Sequence, residues 1–148
     1  MVRIVIIATF LNFFVRTSQG QARLMPISMA DSMEKANPKP SIILLSAPWC
    51  KWCEKMKAQT FPVLLSDSSA IEAFNFFELN VESQHAISFA GQTFQPNTGD
   101  YHELALQLMD SGKMTLPIVL ILDESHNILF QYNGFIAPNV LMSLLQSM

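Results

Sequence analysis

The sequence predicts an α/β fold: a central mixed sheet with helices on both faces. Three observations carry that expectation. Residues 42–45 form an apolar run that leads into the stretch holding both cysteines and both tryptophans, and a charged, helix-favouring segment follows at once. Downstream, strand-like apolar runs alternate with segments of helical period, the order that α/β sheets produce. The last two runs, 116–122 and 128–132, are separated by a short polar turn, so a hairpin closes the sheet.

Residues 1–22 are expected to be a cleaved signal peptide. Arg3 gives a positive start, residues 4–15 are apolar except for Thr9 and Asn12, and Gly20 and Ala22 have the small-x-small spacing of a cleavage site. A twelve-residue helix spans about 18 Å, well short of a ~30 Å hydrocarbon core. The alternative is an uncleaved N-terminal membrane anchor, with Arg16 holding its end at the interface. Export places the remainder in the periplasm or outside the cell. Without the leader, seven basic residues face twelve acidic ones, a net charge of −5. That balance argues against a nucleic-acid partner. The remaining 126 residues suit one domain with one core.

Residues 23–37 read as a lead-in, with a short amphipathic helix over 28–36 that carries Met29 and Met33 on one side. Asn37-Pro38-Lys39-Pro40 stops it, because proline disfavours helix at the residue before it. The domain itself is assigned to 38–148. Its first strand, 41–46, is a short run with an unbroken apolar centre at 42–45, as a strand covered on both faces has. After the motif a helix runs from Cys50 toward Thr60, and Pro62 kinks or breaks it. Val63-Leu64-Leu65 and Ile71-Glu72-Ala73-Phe74 give a second helical piece, and 76–81 the next strand.

Ile87-Ser88-Phe89 and Gln92-Thr93-Phe94 flank Ala90-Gly91 as a small hairpin. Tyr101, Leu104, Ala105 and Leu108 keep a helical period. Asp100 is the expected N-cap, Glu103 completes a capping box, and Gly112 is the stop. His102 on the polar side of that helix, and His126 in the later turn, read as solvated residues. Pro117 opens a strand, where its missing donor does no harm. Pro138 opens a final helix with Leu141, Leu144 and Leu145 facing inward.

The chemistry lies in Ser46-Ala47-Pro48-Trp49-Cys50-Lys51-Trp52-Cys53. Cys50 falls where a buried strand ends and a helix begins. Unpaired N–H groups and the helix dipole favour negative charge there, which lowers a thiol's pKa. Lys51, Lys55 and Lys57 add positive charge. Cys53 is one helical turn on, so its sulfur reaches back to Cys50. That spacing allows a reversible disulfide, with Cys50 attacking and Cys53 resolving. A purely structural bridge is disfavoured, since so short a loop constrains little of the unfolded chain. Zinc is disfavoured as well: two thiols are half a site, and His85, His102 and His126 have no ligand-like spacing. No cofactor is expected. The redox reading requires one exposed sulfur with its mate within bonding reach.

With those residues in view, the chain resembles the thioredoxin superfamily across residues 38–148. The resemblance rests on Ala47-Pro48-Trp49-Cys50-Lys51-Trp52-Cys53, the strand end Leu79-Asn80-Val81-Glu82, Leu116-Pro117, and Gly134 before the last helix. Within it, the chain is similar to exported thioredoxin-like domains that open their helix with W-C-x-x-C-[KE], such as the terminal domain of the transmembrane thiol-electron conduit. The run Tyr101-His102-Glu103-Leu104-Ala105, then Gly112-Lys113-Met114, is similar to poorly characterised bacterial exported members.

The resemblance implies a thioredoxin-like fold and a thiol–disulfide oxidoreductase, most simply a reductase of exported proteins. A membrane-embedded electron donor would recharge it, and a monomer is expected. Trp49, Leu116 and Pro117 would contact the substrate, with Pro117 cis against the motif and Leu116 offering its backbone to a client strand. Lys51 and Trp52 would tune the potential. The alternative is a binding or metal-delivery module on the same fold, without redox turnover. Two departures stand out. Leu44 occupies the place of the superfamily's buried acid, and Glu78 that of a nearby lysine. Either water takes the proton of Cys53, or Glu54 or Glu78 does. Residues 83–100 lengthen the path to Pro117. They either shape a substrate groove or decorate the surface, at little thermodynamic cost.

Overall fold

A computed structural model describes residues 23–109 and 113–148; the expected leader and the helix stop at Gly112 lie outside the described residues. Five strands form one mixed sheet: β1 (Met25–Pro26), β2 (Ser41–Ser46), β3 (Asn75–Asn80), β6 (Ile118–Leu122) and β7 (Ile128–Asn133). Their spatial order is β1-β3-β2-β6-β7. The first three run parallel, and β6 and β7 each pair antiparallel to their neighbour. The mixed α/β sheet predicted from the sequence is thus present.

Alternation along the strands sorts two cores. Side chains of Ile43, Leu45, Phe77, Leu79, Ile118 and Leu120 meet one cluster, and those of Ile42, Leu44, Phe76, Val119 and Ile121 the other. Successive side chains of a strand point to opposite faces. Because both faces are covered, all six residues of β2 are buried. Helix α1 (Ala30–Ala36) and α5 (Glu103–Leu108) cover the first face, through Ala30, Leu104, Ala105 and Leu108. On the second face lie α3 (Phe61–Ser66), α4 (Ser68–Ala73) and α6 (Pro138–Gln146). Helix α2 (Lys51–Gln59) spans the divide, with Cys53 in one cluster and Met56 in the other.

Pro62 lies in the first turn of α3, where its missing N–H costs nothing. The break before it is fixed by Thr60, whose buried hydroxyl donates to the Ile136 carbonyl at 2.8 Å. Asp67 separates α3 from α4 by capping the latter, accepting from the Ala70 N–H at 2.9 Å. The expected hairpin is there as well: β4 (Ile87–Phe89) pairs with β5 (Gln92–Phe94). Ala90 and Gly91 both have positive φ, 54° and 71°, as a tight two-residue hairpin turn requires.

Four local readings need correcting. The lead-in is part of the fold: β1 pairs with β3 at Met25–Phe77, and Ile27 and Ala30 are buried. A two-residue strand is set by its partner and leaves no local pattern. The N-cap of α5 is His102, and the Glu103 carboxylate instead accepts from the Gln95 N–H at 2.8 Å. His102 is therefore buried rather than solvated. Its Nδ1 accepts from the Leu104 N–H at 3.1 Å, so Nε2 carries the proton and donates to the His85 carbonyl, also at 3.1 Å. His126 is likewise no free loop residue. It sits 2.7 Å from Glu34 and edge-on to Phe89, with ring centroids 5.1 Å apart.

His102→Ala removes a cap and leaves a carbonyl without its donor. We expect a loss of about 2 kcal/mol in urea unfolding. An unchanged midpoint would show that water replaces the ring at no cost.

Candidate active site

At the C-terminal end of β2 the chain turns through Ala47, Pro48 and Trp49, and the Cys50 N–H returns to the Ala47 carbonyl at 3.0 Å. Cys50 is then the N-cap of α2, in extended backbone with φ −81° and ψ 97°. Its Sγ accepts from the Cys53 N–H at 3.1 Å, so one of the helix's orphan donors already points at the sulfur. The same contact would stabilise a thiolate. Cys50 and Cys53 are joined as a disulfide, with Cα atoms 5.2 Å apart.

The expectation of an exposed sulfur needs restating. Cys50 is 4% accessible and Cys53 is 0% accessible. Both belong to the buried cluster that also holds Ile87, Phe89 and Phe94 of the 83–100 segment. The pair is neither fully sealed nor pointed apart. What surface remains belongs to Cys50.

Around it stand the other residues singled out from the sequence. Trp49 is 61% exposed and donates from Nε1 to Glu82 at 2.6 Å. Trp52 is 54% exposed, and Lys51 beside it is exposed too. The Leu116-Pro117 bond is cis. Leu45 pairs with Ile118, so one further step in register sets Pro117 opposite Ser46, at the motif end of the sheet. Pro117 is buried, and half-buried Leu116 packs on the cluster that holds both cysteines. The Pro117 carbonyl accepts from the Gly134 N–H at 2.7 Å. Gly134 has φ +120°, a value that glycine adopts without a Cβ penalty.

Solved structures that superpose on this chain include thioredoxins. The thioredoxin of Malassezia sympodialis superposes with a TM-score of 0.56, over 85% of this chain and 90% of its own, at 18% identity. The germline-specific thioredoxin Deadhead of Drosophila melanogaster gives 0.56 over 86% and 98%, at 14% identity. The chain has a thioredoxin fold. A chain of the ferredoxin:thioredoxin reductase–thioredoxin f2 complex gives a TM-score of 0.52, over 86% of this chain and 96% of its own, at 17% identity. No protein-family model and no curated protein sequence matches. A thioredoxin fold with a bonded C-x-x-C at its helix start supports thiol–disulfide redox chemistry.

Leu44 and Glu78, singled out in the sequence, lie side by side. Leu44 pairs with Glu78 across β2 and β3. Ser46 donates to Glu78 at 2.6 Å, and Lys57 reaches the same oxygen at 3.0 Å and Glu54 at 2.7 Å. Burial pulls the Lys57 pKa down, but hydrogen bonds and charge from Glu54 and Glu78 outweigh it, and the pKa ends above the ordinary amine value. Both candidate carboxylates thus belong to one network. It lines a cleft of about 620 Å³ that also meets Ala47 and Pro48.

Sequence reasoning missed Phe135. Its ring lies 5.8 Å from that of Trp52, and Lys55 Nζ is 4.7 Å from the centroid of each. The helical spacing of Trp52 and Lys55 was a signal for half of this group. Nothing local pointed to Phe135.

Proposed function

We propose that this chain is a thiol–disulfide oxidoreductase that reduces disulfides of exported proteins. One observation carries the reading: the bonded pair has all its remaining accessible surface on Cys50, the residue at the helix start. In the reduced protein the Cys50 thiolate attacks one sulfur of a client disulfide. A mixed disulfide forms and the first client thiolate leaves. Cys53, deprotonated, attacks Cys50 Sγ, which closes the Cys50–Cys53 bond and expels the second client thiolate. Two electrons pass to the client, and the leaving thiolates take up two protons. Trp49 and the backbone of Leu116 hold the client beside Cys50, with cis Pro117 shaping that edge. Lys51 and Trp52 tune the potential. Glu54 and Glu78 are the carboxylates available for the proton of Cys53.

The likeness to exported reducing domains favours the reducing direction. An exported reductase needs a reductant, and a membrane-embedded dithiol donor is the partner we infer. Residues 1–22 would direct export as a cleaved signal, leaving a periplasmic or secreted domain; an uncleaved anchor is the alternative. No described helix is long and apolar enough to cross a membrane.

A glutathione redox titration tests the direction. Trp49 and Trp52 are the only tryptophans and both flank the disulfide, so fluorescence reports its state without background. We expect a midpoint near that of thioredoxin, about −270 mV, and a midpoint near about −120 mV would make the chain an oxidant. No titration at any potential would favour the binding-module alternative.

A further inference from the structure

Two lysines of α2 lie close in sequence and are used differently. Lys57 holds two carboxylates, Glu54 and Glu78. Lys55 pairs with no carboxylate among the described residues; its ammonium lies between two ring faces, 4.7 Å from the Trp52 centroid and 4.7 Å from that of Phe135. Both distances are within cation–π range. The two rings come from different elements. Trp52 is on α2, three residues before Lys55. Phe135 follows Gly134, whose N–H is tied to the Pro117 carbonyl. The rings thus fix a cation in place on the helix that carries Cys53.

Position and charge together say what fits there. A free surface lysine loses rotamer freedom when it forms an ion pair, and that loss cancels most of the gain. Lys55 has already lost it to the rings. Trp49, directly before Cys50, is bonded instead to a carboxylate, that of Glu82. The motif thus carries a carboxylate at Trp49 and a held cation at Trp52. Five residues of helix separate Cys50 from Lys55, about 7.5 Å along the axis and about 140° around it, a Cα separation of about 9 Å. An extended chain covers that in two or three residues at about 3.3 Å each.

Resting on the oxidoreductase reading above, we propose that Lys55, framed by Trp52 and Phe135, selects polypeptide clients that carry a carboxylate side chain two or three residues from the cysteine attacked by Cys50. The occupant is a client segment in extended form, acidic at that position, with an apolar neighbour lying on the two rings.

The test uses the reduced protein and three otherwise identical peptides. Each has one cysteine activated as its neutral 2-thiopyridyl disulfide, with Asp, Asn or Lys two residues away. Cys50 attacks the peptide sulfur and thiopyridone is released, which is followed by absorbance. At low ionic strength the Asp peptide is expected to react about three- to fivefold faster than the Asn peptide, and the Lys peptide slowest. Lys55→Gln should abolish the ordering, Lys51→Gln should keep it, and high salt should flatten it. Equal rates for the three peptides, or an ordering that survives Lys55→Gln, would overturn the proposal. So would an ordering that vanishes with Lys51→Gln. Failure to react with any peptide would overturn the oxidoreductase reading itself, and this selectivity with it.

Discussion

Cys53→Ser is expected to leave client proteins covalently attached to Cys50, and Cys50→Ser is expected to attach none. The reason is the asymmetry of burial. Only Cys50 has surface for an incoming sulfur, while Cys53 is enclosed by the core. Without Cys53 the mixed disulfide has no internal thiolate to resolve it. Without Cys50 the remaining thiol cannot be reached. Both variants should lose turnover by at least about a thousandfold, since each removes a sulfur that the cycle cannot replace. Alkylation followed by non-reducing electrophoresis separates them: adducts with Cys53→Ser, none with Cys50→Ser. Identical behaviour of the two would leave a binding module in which the cysteines are incidental.

Phe89→Ala should destabilise the protein by about 3–5 kcal/mol in denaturant unfolding. Phe89 is 3% accessible and lies in the cluster that contains Cys50 and Cys53. The hairpin that carries it was open to two readings from sequence, a groove-shaping insert or surface decoration. A decorative hairpin would tolerate the change within about 0.5 kcal/mol. The burial of Ile87, Phe89 and Phe94 argues for the large value. A small one would mean that the cluster closes over the gap and the hairpin contributes little.

What was legible in the sequence was local. The strand into the motif, the helix out of it and the Ala90-Gly91 turn each have short-range causes, and all are found. So does Pro138 at the start of α6. What was missed depends on distant partners. His102 owes its burial to a carbonyl 17 residues away, and His126 meets Glu34 across 92 residues. Asp100 and Glu103 have capping-box spacing, but the Glu103 carboxylate finds the Gln95 backbone, which a local pattern does not show. In the candidate site the two cysteines and both tryptophans were in view from the start, and cis Pro117 only through the thioredoxin resemblance. The Glu78 network and the Phe135 ring were not, because β-sheet register and a loop from the far end of the chain create them.

On the oxidoreductase reading, a centre with one accessible cysteine handles its reactants in turn. The reductant that recharges the disulfide and the client that discharges it must occupy the same small footprint, never together. Such a protein alternates between two half-reactions, and an excess of either reactant slows the other by occupying the shared spot. The molecule that supplies electrons then has to present the same surface chemistry as the molecules that receive them.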